Sequence, residues 1–118
     1  MGKALNSRQK GARGERDLAK VLREYGFEAR RGQQFAGANG DADVVGLPGI
    51  HIECKNVERL NLDAAMEQSE RDATAEFQRT GKVAVPVVIH KKNRKEWKIT
   101  MKLRDFLDMF GEVLRNGS

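Results

Sequence analysis

Asp43, Glu53 and Lys55 lie in the segment GDADVVGLPGIHIECKN, residues 40–56, whose remaining residues carry the apolar alternation of a β-hairpin. The intervening LPG, with its proline and glycine, suits a short turn between antiparallel strands over residues 43–46 and 50–55. A turn centred on Pro48 sets Asp43 opposite Glu53, and Asp41 opposite Lys55. Directly opposed side chains on one face have Cβ atoms about 5 Å apart, where two carboxylates repel. Alternation also puts Glu53 and Lys55 on one face of their strand and Ile52 and Cys54 on the other. Three ionisable groups therefore gather on one patch. A hard divalent cation offsets such repulsion, and Mg²⁺ binds through one or two carboxylates together with waters and phosphate oxygens.

Helices must bring any further groups to that patch. From residue 10 to 25, Leu18, Val21, Leu22 and Tyr25 recur at helical spacing, and Gly26 follows where a C-terminal capping glycine belongs. Glu15 precedes Leu18 by one turn, which places an acid at the margin of the packing stripe. A second helix is predicted over residues 62–80, with Leu62, Ala65, Met66, Ser69, Ala73 and Phe77 on its stripe and Gly81 closing it. Gln68 borders that stripe and is within reach of the same patch. Residues 27–35 read as an irregular strand, and AGANG, residues 36–40, as a turn-rich break. Residues 83–90 read as a buried strand whose Pro86 marks an edge or a bulge. The KKNRK segment turns the chain, residues 96–100 return as a strand, and Leu103, Phe106, Leu107, Phe110, Val113 and Leu114 define an amphipathic last helix. That stripe is read first as core, although Phe106 and Phe110 could also serve a two-fold contact. The order α-β-β-β-α-β-β-α describes an α/β fold, a mixed β-sheet flanked by helices.

At 118 residues and 39% hydrophobic content, the chain has apolar surface for one core, so residues 1–118 are read as a single domain. A net charge of +5 favours an acidic polymer as partner. Arg30 and Arg31 fall beside the predicted patch, suited to phosphate contact. Arg13 and Arg16 belong to a basic N-terminal stretch, and Lys91, Lys92 and Arg94 to a basic turn; both can track a phosphate backbone. The single cysteine, Cys54, has no partner for an internal disulfide and no companions for a zinc site, and is read as a small buried hydrophobe. His51 shares the face of Glu53 but is read as a strand-end neighbour rather than a ligand. The longest apolar run, residues 83–89, falls far short of the ~20 residues of a membrane span, so no membrane association is expected. The N-terminus lacks an apolar signal region, and a cytoplasmic location follows as the expectation.

GARGERDLAKVLREYGFEARR, DADVVG, IECKN and KEWK together resemble the PD-(D/E)XK nucleases, and among them the archaeal-type Holliday junction resolvases. The resemblance spans nearly the whole chain. It implies a restriction-endonuclease-like fold and a metal-dependent endonuclease that hydrolyses phosphodiester bonds in branched DNA. It also implies that Asp43, Glu53 and the main-chain carbonyl of Cys54 ligate Mg²⁺, with Mn²⁺ able to substitute. Lys55 would position the attacking water or stabilise charge on the phosphate, Glu15 would complete or support the metal site, and Gln68 corresponds to a helix position near such sites. Ala42 stands where the family usually has proline before the aspartate. Asp43 rather than Asp41 is read as the ligand, because two valines follow it and because it faces Glu53. The family further implies a homodimer and no organic cofactor. Two other readings stay open from the residues alone. The same chemistry could act on flaps, mismatches or restriction-like duplex sites, or the chain could be a DNA-binding module that keeps the fold without turnover.

Overall fold

The computed structural model describes residues 2–33 and 42–117, with side chains from Gln9 onward. Phe35, the AGANG segment and Asp41 lie outside the described residues. Helix α1 (Gly2–Glu24) is followed by strands β1 (Arg30–Arg31), β2 (Val44–Val45) and β3 (Ile50–Asn56), then helix α2 (Leu62–Thr80). Strands β4 (Val85–Lys91) and β5 (Lys98–Thr100) and helix α3 (Leu103–Gly117) complete the order expected from the sequence.

The sheet runs β1-β2-β3-β4-β5 and is mixed. β3 and β4 pair in parallel over their full lengths, from Ile50 with Val85 to Asn56 with Lys91, and the other pairs are antiparallel. Parallel neighbours need a crossover, and α2 supplies it. Strand alternation then divides the two faces. Val44, Ile52, Cys54, Val87 and Ile89 pack with Leu18 and Ala19 of α1 on one face. On the other face α2 buries Ala65, Ser69 and Ala73, and the Ser69 hydroxyl donates to the Val87 carbonyl at 2.9 Å.

Local chemistry explains where the elements stop. Gly26 at φ +98° closes α1: its N–H donates to Arg23 O, and Phe27 N–H donates to Leu22 O. This is the paired bonding that a left-handed capping residue allows. Asn61 caps α2 by accepting from Ala64 N–H at 3.0 Å, and Gly81 ends it at φ +76° with its N–H on Phe77 O.

Several boundaries differ from the sequence reading. Helix α1 begins at residue 2 rather than 10, because the apolar stripe marks only the stretch that touches the sheet. Tyr25, assigned to that stripe, is 78% exposed in the turn beyond the helix. Of the strand expected over residues 27–35, the described residues hold only Arg30–Arg31. β2 is shorter than residues 43–46, β4 starts at Val85 with Val83 exposed, and β5 starts at Lys98. Pro86 is no bulge: it stays in register with His51, in a part of β4 that β5, which begins pairing at Val88, does not reach. The missing N–H of proline is harmless there. The largest correction is α3, which buries none of its residues.

Candidate active site

The register of Val44 with Ile52 carries Asp43 opposite Glu53, as the short turn predicts. β2 ends at this level while β3 runs on, leaving an open strand edge next to Cys54. The Asp43 carboxylate fills part of it, with Oδ2 accepting from the Cys54 N–H at 2.9 Å. The N–H and C=O of one strand residue point toward the same neighbour, so the Cys54 carbonyl lies on the side of Asp43. The Cys54 side chain turns into the α1 core, where burial pushes its thiol well above the ordinary range.

Glu53 is 3% exposed, and Lys55 Nζ lies 3.4 Å from its Oε2. Burial pushes the Glu53 carboxyl up to about 7; the negative Asp43 adds to the rise and Lys55 opposes it. Burial also raises Asp43, against the Cys54 N–H and Lys55. One lysine does not neutralise this pair of acids, one buried and one half-buried.

Glu15 reaches the same strand end from the opposite face. α1 packs on the Ile52 and Cys54 side, so Glu15 approaches past the open edge beside β2 rather than over the Glu53 face. Its Oε1 accepts from Arg31 Nε of β1 at 3.0 Å, and its carboxyl is raised by burial first and by Asp43 second. Among the described residues no three His, Cys, Asp or Glu side chains gather closely enough to hold a metal ion by themselves. The donor set on offer is thus the Asp43 and Glu53 carboxylates with the Cys54 carbonyl. That set fits Mg²⁺, which keeps several water or phosphate oxygens and needs no closed protein cage. The carboxyls are raised chiefly by burial and secondarily by the charge of neighbouring acids, and a bound cation would favour their ionised forms.

On α2, Gln68 is half-buried, and no hydrogen bond or ion pair joins it to the acids among the described residues. The sequence reading passed over its neighbours. Asp72 and Glu76 follow Gln68 at successive four-residue steps, and the charge of Asp72 raises both Asp43 and Glu53. Glu76 Oε1 meets His51 Nδ1 at 2.8 Å. His51, second residue of β3, is 2% exposed beneath α2, with Nε2 lacking a hydrogen-bond partner among the described residues. Four-residue periodicity counted forward from Gln68 would have found both acids.

Of the basic residues, Arg30 and Arg31 sit on β1 beside the site, where Arg30 Nη1 donates to the Arg31 carbonyl at 3.1 Å. Arg13 lines a cleft with Lys91, while Lys92 and Arg94 line a second hollow in the β4–β5 turn. Arg16 is exposed on α1 and lines neither. Lys91 Nζ stands 5.6 Å over the Trp97 ring, a cation–π contact that steadies the turn.

A helix-flanked mixed sheet with an Asp and a Glu-x-Lys at the ends of its central strands defines a restriction-endonuclease-like nuclease fold. The chain belongs to the PD-(D/E)XK endonucleases: residues 6–116 match the family described as phage PDDEXK endonucleases. Its fold is shared by Hjc of Archaeoglobus fulgidus, a Holliday junction resolvase from an archaeal hyperthermophile. The two are 30% identical with a TM-score of 0.54, over 78% of this chain and 72% of the other. No curated protein matches the sequence. Among the described residues no helix is long and apolar enough to cross a membrane.

Proposed function

We propose that this nuclease is a single-domain, Mg²⁺-dependent endonuclease that cuts phosphodiester bonds in branched DNA, with the four-way junction as its substrate. The observation that carries the chemistry is the Asp43–Glu53–Lys55 arrangement: a buried Glu53 opposed by a half-buried Asp43, both with raised pKa, and one ammonium 3.4 Å from Glu53. The likeness to the archaeal resolvase supports the choice of substrate.

In this reading Asp43, Glu53 and the Cys54 carbonyl hold Mg²⁺, and Mn²⁺ can replace it. Bound there, the cation supplies Lewis acidity to the phosphate and lowers the pKa of water. Lys55 orients the incoming water and stabilises charge that builds on the phosphate oxygens. Glu15 supports the site from the α1 side, and Gln68 contacts the DNA strand or water near it. Arg30 and Arg31 hold phosphates on the β1 side, and Arg13, Arg16, Lys91, Lys92 and Arg94 take those further out. Two copies act together, joined through the exposed apolar face of α3, so that two sites meet the two strands of a junction.

The test is a set of labelled four-way, flap, mismatched and linear DNA molecules incubated with Mg²⁺, Mn²⁺ or EDTA. Paired cuts in the four-way junction, absent in EDTA, are expected. Equal cutting of flaps or duplex assigns the same chemistry to another DNA structure. Binding without cleavage in either metal would leave a DNA-binding module.

A further inference from the structure

Beyond the acids, the same end of β3 carries a second feature, on the side facing α1. There α1 and the β4–β5 turn enclose a cleft of about 500 Å³ lined by Lys10, Arg13, Asp17, Asn56, Lys91 and Asn93. Three positive side chains face one acid across it. They come from segments about 80 residues apart in the chain, so a fluctuating run of surface charge does not account for their convergence.

The cleft is built by identifiable contacts. Gly14 is buried where α1 passes the end of β3, and a Cβ on it would lie 3.0 Å from Asn56 Cβ. Glycine here lets the helix come this close without crowding Asn56, which brings Lys10 and Arg13 down onto the strand end. Asn56 is in register with Lys91, so their side chains share the floor. The turn beyond is pinned by the Asn93 N–H, which donates to Glu58 Oε2 at 2.6 Å. The amide oxygen of Asn56 is buried without a hydrogen-bond partner.

An open cleft with excess positive charge suits an anion. Asn56 directly follows Lys55 on β3, so the cleft begins about 3.3 Å along the strand from the lysine of the active site. Asn56 points to the opposite face of β3 from Lys55, so a DNA strand lying across the acids reaches the cleft by passing around the end of the strand.

We propose that this cleft is a phosphate-binding subsite for the DNA backbone, holding a phosphate other than the one cut, a few nucleotides along the same strand. Lys10, Arg13 and Lys91 bind the phosphate oxygens, and the Asn93 side chain borders the sugar. Asp17 limits how deeply the anion enters. Holding one phosphate here while another lies at Lys55 fixes the strand's register and so the position of the cut. The inference relies on the nuclease reading for the identity of the polymer.

The test is a binding measurement in EDTA, which does not depend on cleavage. Junction DNA carries one neutral methylphosphonate at successive backbone positions, and wild type is compared with Arg13→Ala, Lys10→Ala and Lys91→Gln. For wild type, one position away from the cut should weaken binding about tenfold, in line with loss of a charged phosphate contact. In Arg13→Ala and Lys91→Gln the same replacement should cost under about twofold, and each variant should lower the log–log salt slope by about one. Arg13 is exposed, and Lys10 and Lys91 are half-buried but outside the core, so these variants should fold. Purely additive losses at every position, or unchanged salt slopes, overturn the subsite even if the protein cuts DNA. Coupling at one position without cleavage of any substrate keeps the subsite and removes the nuclease reading.

Discussion

At the scale of single residues, the opposition of Asp43 and Glu53 leads to a dependence of stability on pH whose sign can be worked out. Glu53 has a carboxyl near 7 in the folded protein against 4.5 for the free group. Between those values the folded state holds a proton that the unfolded state has released, so stability falls as pH rises from about 4.5 to about 7 and levels off above. Asp43 and Glu15 are raised too and add in the same direction. Urea unfolding in EDTA should show the protein less stable at pH 8 than at pH 5 by about 2–3 kcal/mol, the scale set by ~1.4 kcal/mol per pKa unit. Glu53→Gln should flatten that slope, and Mg²⁺ should restore stability at pH 8 but little at pH 5. A stability that climbs over this range would contradict this acid pair. For activity, Glu53→Gln and Lys55→Ala should each reduce single-turnover cleavage by about 10²–10³-fold or more, while DNA binding in EDTA changes less than about threefold. Binding that collapses together with cleavage would move these residues from the chemistry to the interface. The acid pair was legible in the sequence because strand alternation is rigid and the LPG turn leaves little slack in register. Asp72 and Glu76 share the helix face of Gln68 at four-residue steps, a weaker signal because charged residues on a helix usually face solvent; the structure sets Glu76 on His51 and brings the charge of Asp72 to bear on Glu53. The Glu15–Arg31 pair was hidden for another reason: it joins α1 to a two-residue strand whose register no local pattern specifies.

At the scale of elements, the site depends on how closely short strands are drawn together. Gly46 follows β2 at φ +124°, and a Cβ there would lie 2.5 Å from Ala29 Cα and 2.6 Å from Glu28 O. Both contacts are with backbone, which cannot swing aside. Gly46→Ala should therefore cost about 2–4 kcal/mol, combining backbone strain with a clash. Because it pushes β1 from β2, it should also loosen Arg31 from Glu15. Thermal unfolding and cleavage measured together should fall together, and a melting temperature within a degree of wild type would show that β1 yields easily. The helices read well from the sequence because their stops are chemical. Gly26 and Gly81 cap α1 and α2, and α2 was found to the residue. The strands read less well. β1, β2 and β5 are two or three residues long, too short for a period of two to stand out, and the sheet rather than propensity decides where they pair. Pro86 pointed correctly to a missing partner but not to its cause, the late start of β5 alongside β4.

At the scale of the molecule, the outstanding feature is α3. Leu103, Phe106, Leu107, Met109, Phe110, Val113 and Leu114 are each between 40% and 70% exposed, and the Phe106 and Phe110 rings stack with centroids 5.8 Å apart. The sequence shows the amphipathic stripe plainly, yet it cannot say whether such a stripe meets the chain's own sheet or another molecule. Here none of its residues is buried, and just before α3 begins Lys102 pairs with Glu70 of α2 at 2.6 Å. On a helical wheel the stripe spreads evenly to either side of Phe110. An antiparallel two-fold contact centred there sets Phe106 of one protomer against Leu114 of its partner, Leu107 against Val113 and Phe110 against its own copy, with Leu103 and Met109 opposite Gly117 and Gly111. Half-exposed aromatic and leucine side chains offer on the order of 100 Å² each, giving roughly 600–700 Å² per protomer, at the lower end of stable two-fold interfaces. Asp108 and Glu112 fall on the far side of the helix, away from the seam. Phe106→Asp with Phe110→Asp should therefore yield a folded monomer, since neither residue is part of a core, whereas burying two carboxylates in the interface costs several kcal/mol. Sedimentation velocity at micromolar concentration should show a dimer for wild type and a monomer for the double variant, with circular dichroism unchanged. The monomer should still nick DNA through its own Asp43 and Glu53 but lose paired cutting of a four-way junction. A wild-type protein that sediments as a monomer would detach α3 from dimerisation, and a double variant that stays dimeric would place the interface elsewhere.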